Sequence, residues 1–344
     1  MKAAVLFANQ DIRYVDVPEP PCGPDEVKVH IRAAGICGSD IPRVLHNGAH
    51  FYPIILGHEF SGDIVEIGQN VTDLTIGDTV SGAPLLPCMR CADCQRGFYA
   101  LCKHYSFIGS RQPGSFAQYV VLPARNAIPY DPAIPYAQAA MFEPSTVALH
   151  GLLLSDYRGG ETVAILGCGT IGLFTLQWAR LYGAKRIVAF DIDPGRLALA
   201  RRMGADAVVN TAEPGFMDAA GAGAFGAVFE TAGSPVTMRL AFELAGNKAS
   251  VCFIGTPHEE VSFPPALFEK MNRKEFRLTG SWMSYSAPFP GREWTLTAEA
   301  LRTGGLRFDD ALIYKSLPLS KAAEAFALYQ TPGQVHGKIM LTND

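Results

Sequence analysis

The sequence predicts an α/β protein of two domains, one β-rich and one built on a parallel sheet. Up to about Pro123, short apolar stretches are broken by Gly and Pro, the pattern of a small barrel or sandwich. Beyond Glu143, longer units alternate strand and helix in a βαβ rhythm. Length agrees, because 344 residues leave room for roughly two cores.

In the first part, strands are expected at Lys2–Phe7, Glu26–Gly35, Gly62–Gly68, Gly77–Gly82 and Ser115–Leu122, each a run of β-formers. In the second, Glu161–Leu166 reads as a buried strand, Thr170–Tyr182 as a helix and Arg186–Phe190 as the next strand. Leu197–Met203 follows as helix and Ala207–Val209 as strand. The Ala/Gly-rich run Ala219–Ala224 reads as a loop or frayed helix end, ahead of strands at Gly226–Glu230 and Ser250–Gly255. Past Gly280 the texture is a less regular α+β one that ends in the strand-like Gly337–Leu341.

Composition excludes several classes. Apolar residues at 48% against 18% charged rule out a disordered chain. A net charge of −4, with no Lys/Arg run, offers no footprint for nucleic acid. The longest largely apolar stretch, Val163–Leu176, is too short to span a membrane and is broken by glycines, and the N-terminus carries no signal-type h-region. The expectation is a cytoplasmic chain without a membrane partner.

Gly167-Cys-Gly169-Thr170-Ile171-Gly172 follows a predicted strand and opens a predicted helix. In that place the glycines permit a tight turn and let backbone approach a pyrophosphate, which the helix N-terminus then attracts. Asp191 ends the next strand, where a carboxylate bonds the ribose hydroxyls of NAD and repels the extra phosphate of NADP. Arg196, close by, is a side chain suited to that phosphate, but Asp191 favours NAD.

Of eight cysteines, Cys88, Cys91, Cys94 and Cys102 fall within one short polar segment, while Cys22, Cys37, Cys168 and Cys252 are scattered. Four thiolates at that spacing close a tetrahedral shell with no open position, the arrangement of a structural zinc. A second constellation is dispersed: Cys37-Gly-Ser39-Asp40, Gly57-His58-Glu59 and Glu143-Pro144. Thiolate, imidazole and carboxylate together bind zinc and leave a position open, although a lone Cys or His is as readily a core residue.

These motifs, in this order and spacing, resemble the zinc-containing medium-chain dehydrogenase/reductases, the alcohol and polyol dehydrogenase superfamily, across essentially the whole chain. The blocks Asn47–Pro53, Phe107–Arg111 and Gly280–Ser286 are most similar to members acting on sugar phosphates. The resemblance implies a GroES-like catalytic domain, residues 1–145 plus 285–344, interrupted by a Rossmann NAD-binding domain, residues 146–284, with the active site in the cleft. It implies two zinc ions per chain. Cys37, His58 and Glu143 hold or adjoin the catalytic one, with Glu59 able to join or exchange, and Asp40 orients His58.

The implied reaction is oxidation of a secondary alcohol of a polyol or polyol phosphate to a ketose, or of an L-threonine-type substrate. Zinc lowers the hydroxyl pKa, Ser39 passes the proton on, and NAD takes the hydride. Ser39 as a plain helix N-cap is the alternative for that residue. Two departures matter. Pro42 stands where many relatives have a relay histidine, leaving His46 or a ribose hydroxyl with water as acceptor, and Met283 stands where polyol dehydrogenases tend to carry Arg. A phosphate needs cations, for which Arg43, Arg111 and Lys270 are candidates, and His50 and Trp282 are candidates to line the substrate pocket. The family suggests a homodimer or homotetramer. A zinc-stabilised regulator that has lost turnover is the reading from another class, against which the intact ligand set stands.

Overall fold

The computed structural model of the chain describes residues 1–343 except 222, 309 and 332. They divide into two compact units, one of Met1–Glu143, Tyr285–Gly304 and Ile313–Asp344, the other of Pro144–Ser284 and Gly305–Leu312.

The first unit is β-rich. Its main sheet runs in the order Ala127–Pro129, Thr79–Gly82, Glu59–Ile67, Glu26–Gly35, Lys338–Thr342 and Ile313–Pro318, with Tyr119–Pro123 also pairing Glu26–Gly35. A second sheet joins Asp11–Asp16, Lys2–Ala8 and Ile54–Ile55. Alternate side chains of these strands close on Val27, Val29, Ile31, Phe60, Val80 and Leu341, all essentially without solvent contact. The strand expected at Ser115–Leu122 starts only at Tyr119, because residues before it bond elsewhere: Ser115 N to Gly57 O and Phe116 N to Leu56 O. The long central strand Glu26–Gly35 is paired on both sides, by Glu59–Ile67 and by Lys338–Thr342, and Gly35 faces Glu59 on one side and Met340 on the other.

The second unit is a parallel six-stranded sheet in the order Ala207–Asn210, Arg186–Asp191, Thr162–Leu166, Phe225–Glu230, Ala245–Phe253 and Arg277–Gly280. This is the doubly wound order, with its switch point beside Thr162–Leu166. The helix Phe142–Leu154 gave no amphipathic signal because it is buried on nearly every side, so its sequence is apolar all round. Within the Ala219–Ala224 run, a helix covers Phe216–Ala220, and Ala222 lies outside the described residues. Residues 305–312, expected with the terminal segments, pack with this unit instead. Arg307 N donates to Gln177 Oε1 at 2.8 Å, and the Phe308 ring meets Phe174 edge-on. Among the described residues, no helix is long and apolar enough to cross a membrane.

Candidate active site

The glycine turn joins the strand Thr162–Leu166 to the helix Thr170–Leu181, with Gly169 as N-cap. Gly167 has φ +93°, a left-handed conformation that favours glycine. A Cβ on Gly172 would collide with Gly167 O, whereas one on Gly169 would meet nothing, so there the backbone faces open space. That space is a cavity of about 320 Å³ lined by Gly167, Gly169, Asp191, Arg196, Thr231 and Ser234, among others. Asp191 is held rigidly at its edge: Cys168 N donates to Oδ2 at 2.7 Å and Asp193 N to Oδ1 at 2.9 Å. Arg196 faces the same cavity, and its N–H donates to Asp193, which caps the helix Pro194–Arg202. Backbone donors, open space and a fixed carboxylate suit a dinucleotide. Cys168 is buried with its thiol against Phe190 O and takes no part.

Sequence reading missed Glu230 in this unit. At the end of the strand Phe225–Glu230, its Oε1 accepts from Ala232 N, Gly233 N and Thr237 Oγ1 at 2.8–2.9 Å, shaping the loop that forms the far wall of the cavity. Among the described residues Oε2 is buried without a partner, and burial pushes this carboxyl up.

In the first unit the four cysteines of residues 88–102 converge as their spacing predicts, their sulfurs all within 4.8 Å of one another. Cys88 and Cys94 sulfurs are 4.0 Å apart, Cys91 and Cys102 3.9 Å. Sulfurs about 2.3 Å from a tetrahedral zinc stand about 3.8 Å apart, so these thiols fit zinc. The short helix Ala92–Gln95 and backbone donors orient them, with Cys91 N on Cys88 Sγ and Cys88 N on Cys102 Sγ. Bonds from the backbone at Cys94 and from neighbouring thiols pull Cys91 down to about 6, while burial pushes Cys94 up to about 12.

Cys37, His58 and Glu59 also bring one donor atom each within 4.8 Å of the others. Cys37 follows the strand Glu26–Gly35, and Cys37 N donates to Asp40 Oδ2 as the helix Asp40–Leu45 begins. Glu59 opens its strand opposite Gly35, where any Cβ would collide with the Glu59 carboxylate. His58 Nδ1 lies 3.6 Å from Asp40 Oδ1, and these two atoms are buried without hydrogen bonds among the described residues. Burial, then the Glu59 charge, pushes the Cys37 thiol far above its ordinary value. Glu143 opens the helix Phe142–Leu154 and lies outside the 4.8 Å set, with burial, opposed by His58, pushing its carboxyl up to about 7. Converging S, N and O donors with orphaned buried atoms and suppressed ionisation are what a divalent cation would satisfy.

Lys338 was not anticipated. Its ammonium donates to Glu59 Oε1 at 2.8 Å and lies 2.7 Å from Oε2, with both side chains buried. Burial disfavours that charge, but Glu59 and Cys37 outweigh it and hold Lys338 protonated.

Ser39 stands at the N-cap position of the helix, but its side chain makes no capping bond. Its hydroxyl lies 3.4 Å from Cys37 Sγ, and Arg43 Nη1 donates to Ser39 Oγ at 2.8 Å and to its carbonyl at 2.6 Å. His46 is exposed at the helix end, and Arg43 is the side chain bonded to Ser39 Oγ. Lys270 lies in the second unit and pairs with Glu243. Trp282 belongs to that unit and is half exposed.

Residues 23–132 match the alcohol dehydrogenase GroES-like domain, and residues 170–299 match zinc-binding dehydrogenase. Galactitol 1-phosphate 5-dehydrogenase of Escherichia coli K12 is 41% identical over 317 residues, covering 90% of this chain and 92% of that protein. A crystal structure of galactitol-1-phosphate dehydrogenase from Escherichia coli matches with a TM-score of 0.91 and 38% identity over the whole of both chains. L-threonine 3-dehydrogenase of Pectobacterium carotovorum is 36% identical over 273 residues, 76% of this chain and 79% of that protein. A zinc-binding dehydrogenase from Sinorhizobium meliloti, crystallised with NADP, matches with a TM-score of 0.91 at 32% identity over 99% of both chains. The chain therefore belongs to the zinc-dependent medium-chain dehydrogenase/reductases, the alcohol and polyol dehydrogenase family, and is an oxidoreductase.

Proposed function

We propose that the chain oxidises a secondary alcohol of a polyol phosphate to a ketose, galactitol 1-phosphate to tagatose 6-phosphate, with NAD as hydride acceptor. The observation that carries this is the convergence of Cys37, His58 and Glu59 within 4.8 Å, with Ser39 against the Cys37 sulfur. The 41% identity to a galactitol 1-phosphate 5-dehydrogenase supports the substrate. Two zinc ions per chain fit the two donor sets, one on Cys88, Cys91, Cys94 and Cys102 and one on Cys37, His58 and a carboxylate. Glu59 has the position for direct ligation, and Glu143 sits nearby as a carboxyl able to hold a water or exchange.

When bound, zinc supplies a Lewis acid for the substrate oxygen and the nicotinamide supplies a hydride acceptor, so alcohol and NAD⁺ become ketone, NADH and a proton. The residues of the chain handle the rest. Ser39 Oγ, beside the sulfur of Cys37, receives the hydroxyl proton and passes it outward. Asp40 faces the far nitrogen of His58 and fixes its orientation. Lys338 draws on the Glu59 carboxylate and limits the negative charge at the ligand set.

For the cofactor, the fixed Asp191 carboxylate favours NAD, and Arg196 in the same cavity is what would favour NADP. The family's habit extends the reading to a homodimer or homotetramer. Eight unbridged cysteines suit the cytoplasm. The test is NADH formation with galactitol 1-phosphate, galactitol, sorbitol and L-threonine, each with NAD and NADP. Highest kcat/KM with galactitol 1-phosphate and NAD is expected, and preference for a phosphate-free substrate would overturn the reading.

A further inference from the structure

Resting on the reading of the glycine-turn cavity as the dinucleotide site, we propose that Glu230 positions the cofactor without touching it, by fixing the loop 231–234 that walls the cavity.

The loop leaves the strand Phe225–Glu230 at its C-terminal end, where parallel sheets bind their ligands. Thr231, Ala232, Ser234 and Thr237 line the cavity together with Gly167 and Asp191. The start of the loop is fastened to the glycine turn. Thr231 N donates to Leu166 O at 2.9 Å, and Thr231 Oγ1 lies 3.0 Å from the carbonyl oxygens of both Leu166 and Gly167. Past that point the donors turn to Glu230. Ala232 N, Gly233 N and Thr237 Oγ1 reach its Oε1 at 2.9, 2.8 and 2.8 Å. Thr237 N also donates to Ser234 Oγ, the cap of the helix Pro235–Leu244, so the same carboxyl steadies the start of that helix.

Glu230 holds a second loop through its backbone. Its carbonyl oxygen accepts from Ile254 N at 2.8 Å and Gly255 N at 3.0 Å, just past the neighbouring strand Ala245–Phe253. The two loops meet backbone to backbone. A Cβ on Gly255 would stand 2.3 Å from Gly233 N and 2.7 Å from Glu230 Oε2, and one on Gly233 would stand 2.4 Å from Thr256 O. Three bonds to the carboxyl and two to the carbonyl thus converge on a residue without solvent exposure.

Packing alone does not call for a carboxyl here. Ala227, Val228 and Phe229, which precede it in the strand, are apolar and fully buried, and an apolar side chain would fill position 230 as well. What the carboxyl adds is an acceptor for the loop. Gly233, at φ +67°, gives that loop wide conformational freedom. It keeps one shape only while its donors are satisfied, because a buried N–H without an acceptor is unfavourable enough to drive the backbone toward water. A wall ordered before binding removes an entropic penalty from cofactor association.

The experiment titrates the zinc-loaded full chain with NADH and with NADPH, by nucleotide fluorescence, in wild type, Glu230→Gln, Glu230→Asp and Glu230→Leu. Tm and zinc content are measured for each. Gln presents a carbonyl oxygen to the same three donors and should keep the Kd for NADH within about threefold of wild type. Leu fills the space without an acceptor and should raise that Kd by about tenfold or more. Asp, one methylene short of the donors, should fall between the two. Zinc content should not change, since both donor sets lie in the other unit. A purely structural role would lower Tm and leave the Kd of the folded protein alone. Wild-type Kd in the Leu and Asp variants, or a loss in Gln equal to that in Leu, overturns the proposal. If the Leu variant does not fold, Asp decides: a Kd above that of Gln supports the proposal and an equal one overturns it. Wild type that binds neither nucleotide overturns the dinucleotide reading, and the proposal with it, before any substitution is compared.

Discussion

Lys338 and Glu59 are 279 residues apart in sequence and form a buried ion pair, the ammonium 2.8 Å from one carboxylate oxygen and 2.7 Å from the other. Their strands flank Glu26–Gly35 on opposite edges, and Gly35, lacking a Cβ, leaves the gap through which the two side chains meet.

Removing one partner of such a pair strands the other in a low-dielectric site. Lys338→Met is therefore expected to destabilise the protein by about 3–5 kcal/mol in urea unfolding. Lys338→Arg should retain most of the stability. A Lys338→Met variant as stable as wild type would show that Glu59 does not depend on this charge.

On the proposed reading, the four-cysteine loop closes a shell with no open position, so a zinc held there would contribute to folding and not to turnover. Cys91→Ser should lose one zinc equivalent by elemental analysis and several degrees of Tm, while residual folded enzyme keeps its KM for substrate. Unchanged zinc content would contradict the assignment.

Asp191 is locked by two backbone donors at the edge of the cofactor cavity. On the proposed NAD reading, replacing it with Ser removes a charge that would repel a 2′-phosphate, while Arg196 stays in the same cavity. The NAD/NADP ratio of kcat/KM should fall by about tenfold or more, equivalent to about 1.4 kcal/mol. An unchanged ratio would mean that another residue reads the ribose.

Glu230 gives a pH signature. Burial raises its carboxyl above the ordinary range, opposed by the bonds from Thr237, Gly233 and Ala232. A carboxyl raised in the folded state holds its proton more tightly there than in the unfolded chain. Its stabilisation is complete below the unfolded value of about 4.3 and is lost as pH rises through the native value. The stability difference, wild type minus Glu230→Gln, should accordingly decline from about pH 4.5 upward in a series of urea titrations. A flat difference would contradict the shift.

What could be read in advance was local. The glycine turn and the four-cysteine loop are short-range motifs whose geometry is set by spacing, and the βαβ strands are short apolar runs. Lys338 and Glu230 gave no signal, because each acquires its role from strands or loops brought beside it by the fold. Arg111 was named by nearness to a motif, and its stacking on Tyr105 is visible only in three dimensions. Lys270 was named on the same ground and proved to be paired with Glu243. Residues 305–312 carried no composition break to mark their packing on Phe174 and Gln177.

On the proposed function, the oxidation depends on a zinc anchored by Cys37. The direct test is to measure zinc content and turnover of galactitol 1-phosphate together, in wild type and Cys37→Ser. Two zinc equivalents with turnover in the wild type, and one equivalent with turnover lower by about a thousandfold or more in the variant, are expected. Full turnover in Cys37→Ser, or a single zinc in the active wild type, would contradict the account.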